Sequence, residues 1–132
     1  MVSHLPFKWS VRIYFEDTDS GGVVYHSNYL KFMERARTEW LRSRQINQVD
    51  LKKKDKIMFV VANINIDYKK AARFNDQLDI ETSLDKIGAS RVDLTQNIMK
   101  NLELYTSAKV SIACIHSETF KPQRIPKLIN LI

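Results

Sequence analysis

Residues 28–44 read NYLKFMERARTEWLRSR, and within them Tyr29, Met33, Ala36 and Trp40 recur at spacings of four, three and four. That is the period of an α-helix with one apolar stripe, which Leu30, Phe32 and Leu41 widen. No other stretch of the chain carries a long helical pattern, and Ser27 stands where an N-cap is expected. Arg35 and Glu39, four apart, are placed to pair on the exposed side, for a few tenths of a kcal/mol.

On either side of this helix the period changes to two. Upstream, Phe7, Trp9, Val11, Ile13 and Phe15 alternate with Lys8, Ser10, Arg12, Tyr14 and Glu16, which predicts a strand over residues 7–16 with one buried face. Downstream, residues 45–56 are polar and lysine-rich and read as a loop holding a short helical turn around 49–52. From Phe59 onward Val60, Ala62, Ile64, Ile66 and Tyr68 alternate against Asn63, Asn65 and Asp67. Three further strands follow, carrying Leu78, Ile80, Thr82 and Leu84, then Val92, Leu94 and Ile98, then Leu104, Ala108, Val110, Ile112 and Cys114. Turn signals at Asn75-Asp76, Gly88-Ala89 and Lys100-Asn101 separate them. Pro122 and Pro126 precede Lys127-Leu128-Ile129, where a short terminal helix is expected.

Strands of a doubly wound parallel sheet are apolar on both faces, whereas this alternation suits an antiparallel sheet covered on one face. A single helix covers a single face. The order of strand, long helix and four strands in a meander therefore predicts an α+β architecture, a curled antiparallel sheet of about five strands wrapped around one long central helix.

With 132 residues, 44% of them apolar, the chain has material for one core, and a single domain over residues 1–132 is expected. The opening run lacks the apolar stretch of a secretory signal, and no segment is long enough to span a bilayer. The lone Cys114 excludes an intramolecular disulfide framework and suits a reducing compartment, so the expected location is cytoplasmic. The net charge of +6 gathers in Lys52, Lys53, Lys54 and Lys56, in Lys69 and Lys70, and around Lys121, Arg124 and Lys127. These lysines solvate loops or meet a phosphate-rich ligand. Nucleic acid is not an expected partner, because no basic stripe with interleaved aromatics is present.

Glu16, Asp17 and Asp19 fall at the end of the first strand, ahead of Gly21-Gly22 and the helix start. A solvated acidic turn is the commonest meaning of such a cluster. A calcium loop is excluded, because its fifth and twelfth positions would be Gly21 and Asn28. A third reading is chemical. The first backbone N–H groups of the helix, from about His26 to Asn28, point out of its positive end and suit a developing oxyanion, with Asp19 across the glycine turn. A thioester suits that pair. Its thiol leaving group, with a pKa of about 8.5, needs little acid assistance, so a carboxylate acting as nucleophile or as base for water suffices.

The stretch RIYFEDTDSGGVVYHSNY over residues 12–29, continued by ERARTE over 34–39 and by Ile125-Pro126-Lys127, closely resembles the acyl-CoA thioesterases of the Tol-Pal-associated group. These belong to the hotdog superfamily together with 4-hydroxybenzoyl-CoA thioesterase. The resemblance implies a hotdog protomer that forms a homodimer, commonly a homotetramer, with active sites at the dimer interface. It implies a hydrolase of lipid metabolism acting on acyl-CoA or acyl carrier protein thioesters. No cofactor is expected, coenzyme A being part of the substrate. The family's catalytic aspartate falls on Asp19, not Asp17. The polarising backbone N–H falls at His26 or one residue either side, the His26 side chain orients water or substrate, and Tyr25 lines the acyl or pantetheine channel, with Ser27 and Asn28 beside it. Phe15 departs from the pattern, since relatives often carry tyrosine there, and the strand alternation turns Tyr14 to the opposite face.

Charge and position add Lys69, Lys70 and Arg73, with Arg91 behind them, as residues for the coenzyme A phosphates. Cys114 and His116 share a strand face, but no third group or nucleophile elbow supports a Cys-His nucleophile, and a strand cysteine beside isoleucines is usually inert. His4, His26 and His116 are too scattered for a metal site. Two other functions compete: a hotdog hydratase or dehydratase, which would rest on His26 more than on Asp19, and a non-catalytic module that binds an acyl carrier or an envelope partner through its positive charge.

Overall fold

The structure is a computed structural model that describes residues 5–126. Its elements in chain order are β1 (Phe7–Arg12), a 3-10 turn (Phe15–Asp17), α1 (Asn28–Ser43), a short helix α2 (Gln48–Asp50) running into a wide turn (Leu51–Asp55), β2 (Ile57–Tyr68), β3 (Gln77–Ile87), β4 (Arg91–Lys100) and β5 (Glu103–His116). The strands form one antiparallel sheet in the order β1-β3-β4-β5-β2. This is the expected hotdog arrangement, with α1 against the inner face of the sheet. The expected terminal helix from Pro126 lies outside the described residues.

The four later strands do not form a simple meander. β3, β4 and β5 do, but β2 crosses to the far edge and pairs with β5, while β1 takes the place beside β3. Sequence alternation reports which face is buried, not which strand is the neighbour, so order was beyond its reach.

α1 buries Tyr29, Phe32, Met33, Ala36, Trp40 and Leu41, the stripe read from the sequence, but leaves Leu30 exposed. They pack with Leu78, Ile80, Leu94, Ile98, Ala108, Val110, Ile112 and Cys114 from the inner face of the sheet. Inside this apolar core lies one polar node. The buried Gln96 amide donates to the carbonyl of Met33 and to the Thr82 hydroxyl, each at 3.0 Å, and its oxygen accepts from Arg37 at 2.9 Å. That node ties the middle of α1 to β3 and β4. Desolvation lowers the pKa of the Arg37 guanidinium, which the nearby Glu34 partly offsets. Glu39 pairs with Arg42 at 2.5 Å rather than with Arg35, one turn away in the other direction.

Two local expectations are corrected. β1 ends at Arg12, and the chain tightens into the 3-10 turn, so Phe15 is 73% exposed and lies flat on Phe74 with ring centroids 3.7 Å apart. In β2 a bulge between Val61 and Asn63 inserts one residue against β5. By register Phe59 and Val61 lie on the side of Cys114 and Ile112 ahead of it, and Ile64, Ile66 and Tyr68 on the side of Val110, Ala108 and Thr106 beyond it; Phe59, Ile64 and Ile66 pack against the core, whereas Val61 stays exposed. Val60 therefore falls on the opposite side from Ile64 and Ile66, against the expectation, because an extra residue switches the parity of the strand. The turns at Asn75 and Asn101 are as expected, both with positive φ (72° and 57°) that asparagine tolerates.

Candidate active site

Residues 17–25 form a tight hairpin that joins β1 to α1. Thr18 bridges Val24, the Asp19 N–H donates to the Val23 carbonyl at 2.9 Å, and the Tyr25 N–H donates to the Asp17 carbonyl at 3.0 Å. Ser20, Gly21 and Gly22 make the tip. Gly22 has φ +81°, a conformation in which any other residue is strained, and Gly21 donates its N–H to the Asp19 carboxylate at 2.8 Å. A Cβ at Gly21 would press on that same carboxylate oxygen at 3.2 Å. The two glycines thus shape the turn around Asp19.

The two aspartates differ in their surroundings. The Asp17 carboxylate accepts the N–H of Tyr14 at 2.8 Å and caps the 3-10 turn. Asp19 is exposed, and its bond from Gly21 occupies only one of its oxygens. The bond from Tyr14 likewise takes only one Asp17 oxygen, so what sets the two apart is exposure: Asp17 is half-buried in the 3-10 turn, and Asp19 stands in the open at the glycine tip.

The helix start is held from three sides. The Asn28 amide donates to the Asp17 carbonyl at 2.8 Å, Val24 donates to Ala72 at 2.9 Å, and the buried Tyr29 hydroxyl accepts the N–H of Ala72 at 3.0 Å. Desolvation raises the pKa of that phenol. Ser27 occupies the N-cap position but in helical conformation and without a side-chain cap. The first turn instead bonds in the tighter pattern, with Asn28, Tyr29 and Leu30 donating to the carbonyls of Tyr25, His26 and Ser27. Among the described residues the N–H groups of His26 and Ser27 have no acceptor, so the free donors at the positive end of α1 are these two. Tyr25 and His26 are exposed with ring centroids 4.6 Å apart, and Tyr68 stands edge-on to His26 at 6.2 Å.

The basic residues divide. Lys69 pairs with Asp67 at 3.0 Å and Lys70 pairs with Glu103. Arg73 bridges Val23 through its backbone and so stands beside the hairpin, and its guanidinium makes no ion pair among the described residues. Arg91 is not behind them. It begins β4 beside Ala113, whereas the Tyr68 end of β2 is level with Thr106 and Ile98, roughly 20 Å along the sheet by strand rise.

The rejected Cys-His reading stays rejected. Cys114 is buried and burial pushes its thiol up to about 11, while His116 Nδ1 accepts from the N–H groups of Glu118 and Thr119. No group of three or more His, Cys, Asp or Glu that could hold a metal occurs among the described residues. Nor is any described helix long and apolar enough to cross a membrane.

Sequence reading missed two gaps at the opposite end of α1. One, of about 230 Å³, lies between α2 and the start of β2, lined by Val49, Leu51, Ile57 and Phe59. The other, of about 160 Å³, lies between Arg37, Leu41 and Val60. Neither was legible, because each depends on how α2 and β2 pack.

The sequence over residues 13–130 matches the model of the thioesterase-like superfamily. The chain belongs to that superfamily. It is 41% identical over 124 residues to the acyl-CoA thioesterase YbgC of Haemophilus influenzae, covering 94% of this chain and 91% of that one. It is likewise 41% identical over 125 residues to the acyl-CoA thioester hydrolase YbgC of Escherichia coli O6:H1, with 93% and 92% covered. Among solved structures, a probable thioesterase from Bartonella henselae superposes with a TM-score of 0.87 at 35% identity, covering 92% of this chain and 99% of that one.

Proposed function

We propose that this member of the superfamily hydrolyses acyl-CoA thioesters to the free acid and coenzyme A, with Asp19 as its catalytic carboxylate. The observation that carries the reading is the arrangement of residues 17–28: Asp17 is half-buried and bonded back to Tyr14, Asp19 is exposed at a glycine-built tip, and two N–H groups without an acceptor among the described residues open the helix that follows. The YbgC relatives, at 41% identity over more than nine-tenths of the chain, supply the substrate class.

In this mechanism the thioester carbonyl lies against the N–H of His26 or Ser27, and that hydrogen bond strengthens as the oxygen becomes anionic. Asp19 either attacks the carbonyl carbon, giving a mixed anhydride that water then opens, or removes a proton from the attacking water. The thiolate of coenzyme A leaves in both. His26 and Tyr25 flank the acyl or pantetheine chain, and Ser27 and Asn28 lie beside it. Arg73, next to the hairpin, meets a phosphate, with Lys69 and Lys70 as weaker contributors because each already has a carboxylate partner. No cofactor is needed beyond the coenzyme A that the substrate brings.

The enzyme works as a homodimer, commonly assembled to a homotetramer, from a single domain over residues 1–132 in the cytoplasm. The dimer is supported by β2, a sheet edge of 12 residues with no strand on its outer side among the described residues. Pairing that edge with itself about a two-fold axis makes the strands antiparallel. The Phe59 end of one protomer, with its adjoining gaps, then lies beside the Tyr68 end and the hairpin of its partner. Such an arrangement gives the exposed Asp19 walls that one protomer lacks.

The experiment is thiol release from a panel of short, long and aromatic acyl-CoA thioesters by wild type, Asp19→Asn and His26→Ala. Loss in Asp19→Asn with a weaker effect of His26→Ala is expected. The reverse pattern would favour a hydratase, and salt-sensitive carrier binding without turnover would favour a binding module.

A further inference from the structure

Tyr68 closes β2 on its core-facing side, and its hydroxyl lies 3.3 Å from the carbonyl oxygen of His26. That oxygen also accepts the Tyr29 N–H at 3.3 Å. The His26 carbonyl and the Ser27 N–H are two ends of one peptide group, and the Ser27 N–H is among the free donors at the helix start. A hydrogen bond accepted at one end of a peptide group polarises it and makes the other end a stronger donor. It also fixes the plane in which that N–H points.

The position of Tyr68 is itself fixed. Its ring packs tilted on Tyr29 at 5.6 Å and edge-on to His26 at 6.2 Å. Directly after it, the N–H groups of Lys69 and Lys70 both donate to the carbonyl of Tyr105, anchoring the strand end to β5. Ala72 then grips the hairpin and the helix through Val24 and the Tyr29 hydroxyl. A phenol is protonated, and hence a donor, through neutral pH, and desolvation raises the pKa of Tyr68 further.

We propose that Tyr68 is a positioning residue for thioester hydrolysis: its hydroxyl orients and polarises the His26–Ser27 peptide, so that the free N–H of Ser27 is aimed at the developing oxyanion. Tyr68 acts through the peptide and does not touch the reacting atoms. The inference rests on the oxyanion reading given under the proposed function.

The test is Tyr68→Phe, which keeps the ring on Tyr29 and removes only the hydroxyl. Deleting an oxyanion donor outright lowers kcat by about 10²–10³, and loosening one is expected to lower it about tenfold, with KM unchanged. A second readout separates positioning from packing. A ketone analogue of the acyl-CoA, with methylene in place of the thioester sulfur, is expected to bind Tyr68→Phe more weakly, while a thioether analogue lacking the carbonyl binds as to wild type. Unchanged kcat and ketone affinity would overturn the proposal, as would equal weakening of both analogues, which marks a general loosening of the site. Wild type and Asp19→Asn are assayed alongside. An active wild type, an inactive Asp19→Asn and an unaffected Tyr68→Phe sink the role of Tyr68 alone, whereas an inactive wild type removes the active-site reading and this inference with it.

Discussion

The side-chain amide of Asn28 donates to the carbonyl oxygen of Asp17 at 2.8 Å, so the first residue of α1 grips the acidic hairpin 11 residues upstream. The same carbonyl accepts the N–H of Tyr25. One oxygen thereby sets the spacing between the carboxylate side of the site and its N–H side.

Asn28→Ala is expected to loosen that spacing. The bond is part-buried, so its loss should lower stability by about 1 kcal/mol. Catalysis should suffer more than stability, with kcat falling while the chain remains folded. Urea denaturation and steady-state kinetics on the same preparation check both, and a variant with wild-type kcat would show that the hairpin holds its place without Asn28.

Gly22→Ala isolates the glycine turn. Nothing lies within 4 Å of the added Cβ, so the only penalty is the φ of +81°, expected to lower stability by about 1 kcal/mol. Because the Gly22 N–H donates to the Asp19 carbonyl at 3.0 Å, activity should fall alongside. Equal melting temperatures for the variant and wild type would contradict the strained turn.

The helix at residues 28–44 and the strand alternation were legible because burial on one face leaves a period that side chains cannot hide. The pattern failed where geometry is set by a single extra or missing residue. Ala62 is such a residue: the bulge puts Val61, not Val60, on the same side of the strand as Ile64 and Ile66, and no local signal in a run of apolar residues marks it. Phe15 read as core because the strand was taken to continue past Arg12, whereas the Asp17 carboxylate captures the Tyr14 N–H and bends the chain. In the site, residue types at 17–28 pointed to Asp19. How the helix start is held depends on partners more than forty residues away, at Tyr68 and Ala72, and these have no sequence signature.

Two substitutions test the polar groups inside the core. Gln96→Leu removes the amide shared by Met33, Thr82 and Arg37 and leaves a part-buried guanidinium without its acceptor. A loss of about 2–4 kcal/mol is expected by urea denaturation. Thr106→Val should go the other way. The Thr106 hydroxyl is buried and has no hydrogen-bond partner among the described residues, so replacing it with a methyl group should leave stability unchanged or raise it by about 1 kcal/mol. A clearly destabilised Thr106→Val would show that the hydroxyl is bonded after all.

Cys114 offers a check on the core that is independent of activity. It is 1% exposed and its pKa is raised to about 11 by desolvation, so at pH 8 the folded chain should react with iodoacetamide far more slowly than the same chain in urea. The sign follows from the shift. The unfolded thiol ionises from about pH 8.5 while the folded one stays protonated, so this group's contribution to stability is intact below that pH and is lost as the pH rises towards 11. Rapid labelling of the native protein at pH 8 would mean that β5 opens readily at this position.

The central claim is that Asp19, and not its neighbour Asp17, carries out the chemistry. The direct measurement is thiol release from acyl-CoA by wild type, Asp17→Asn and Asp19→Asn, each with its melting temperature. Asp19→Asn is expected to lose at least about 10²-fold in kcat while melting like wild type. Asp17→Asn, whose Oδ1 can still accept the Tyr14 N–H, should melt close to wild type and keep most of its turnover. A folded Asp19→Asn that turns over like wild type, or an inactive Asp17→Asn that remains fully stable, would contradict the account.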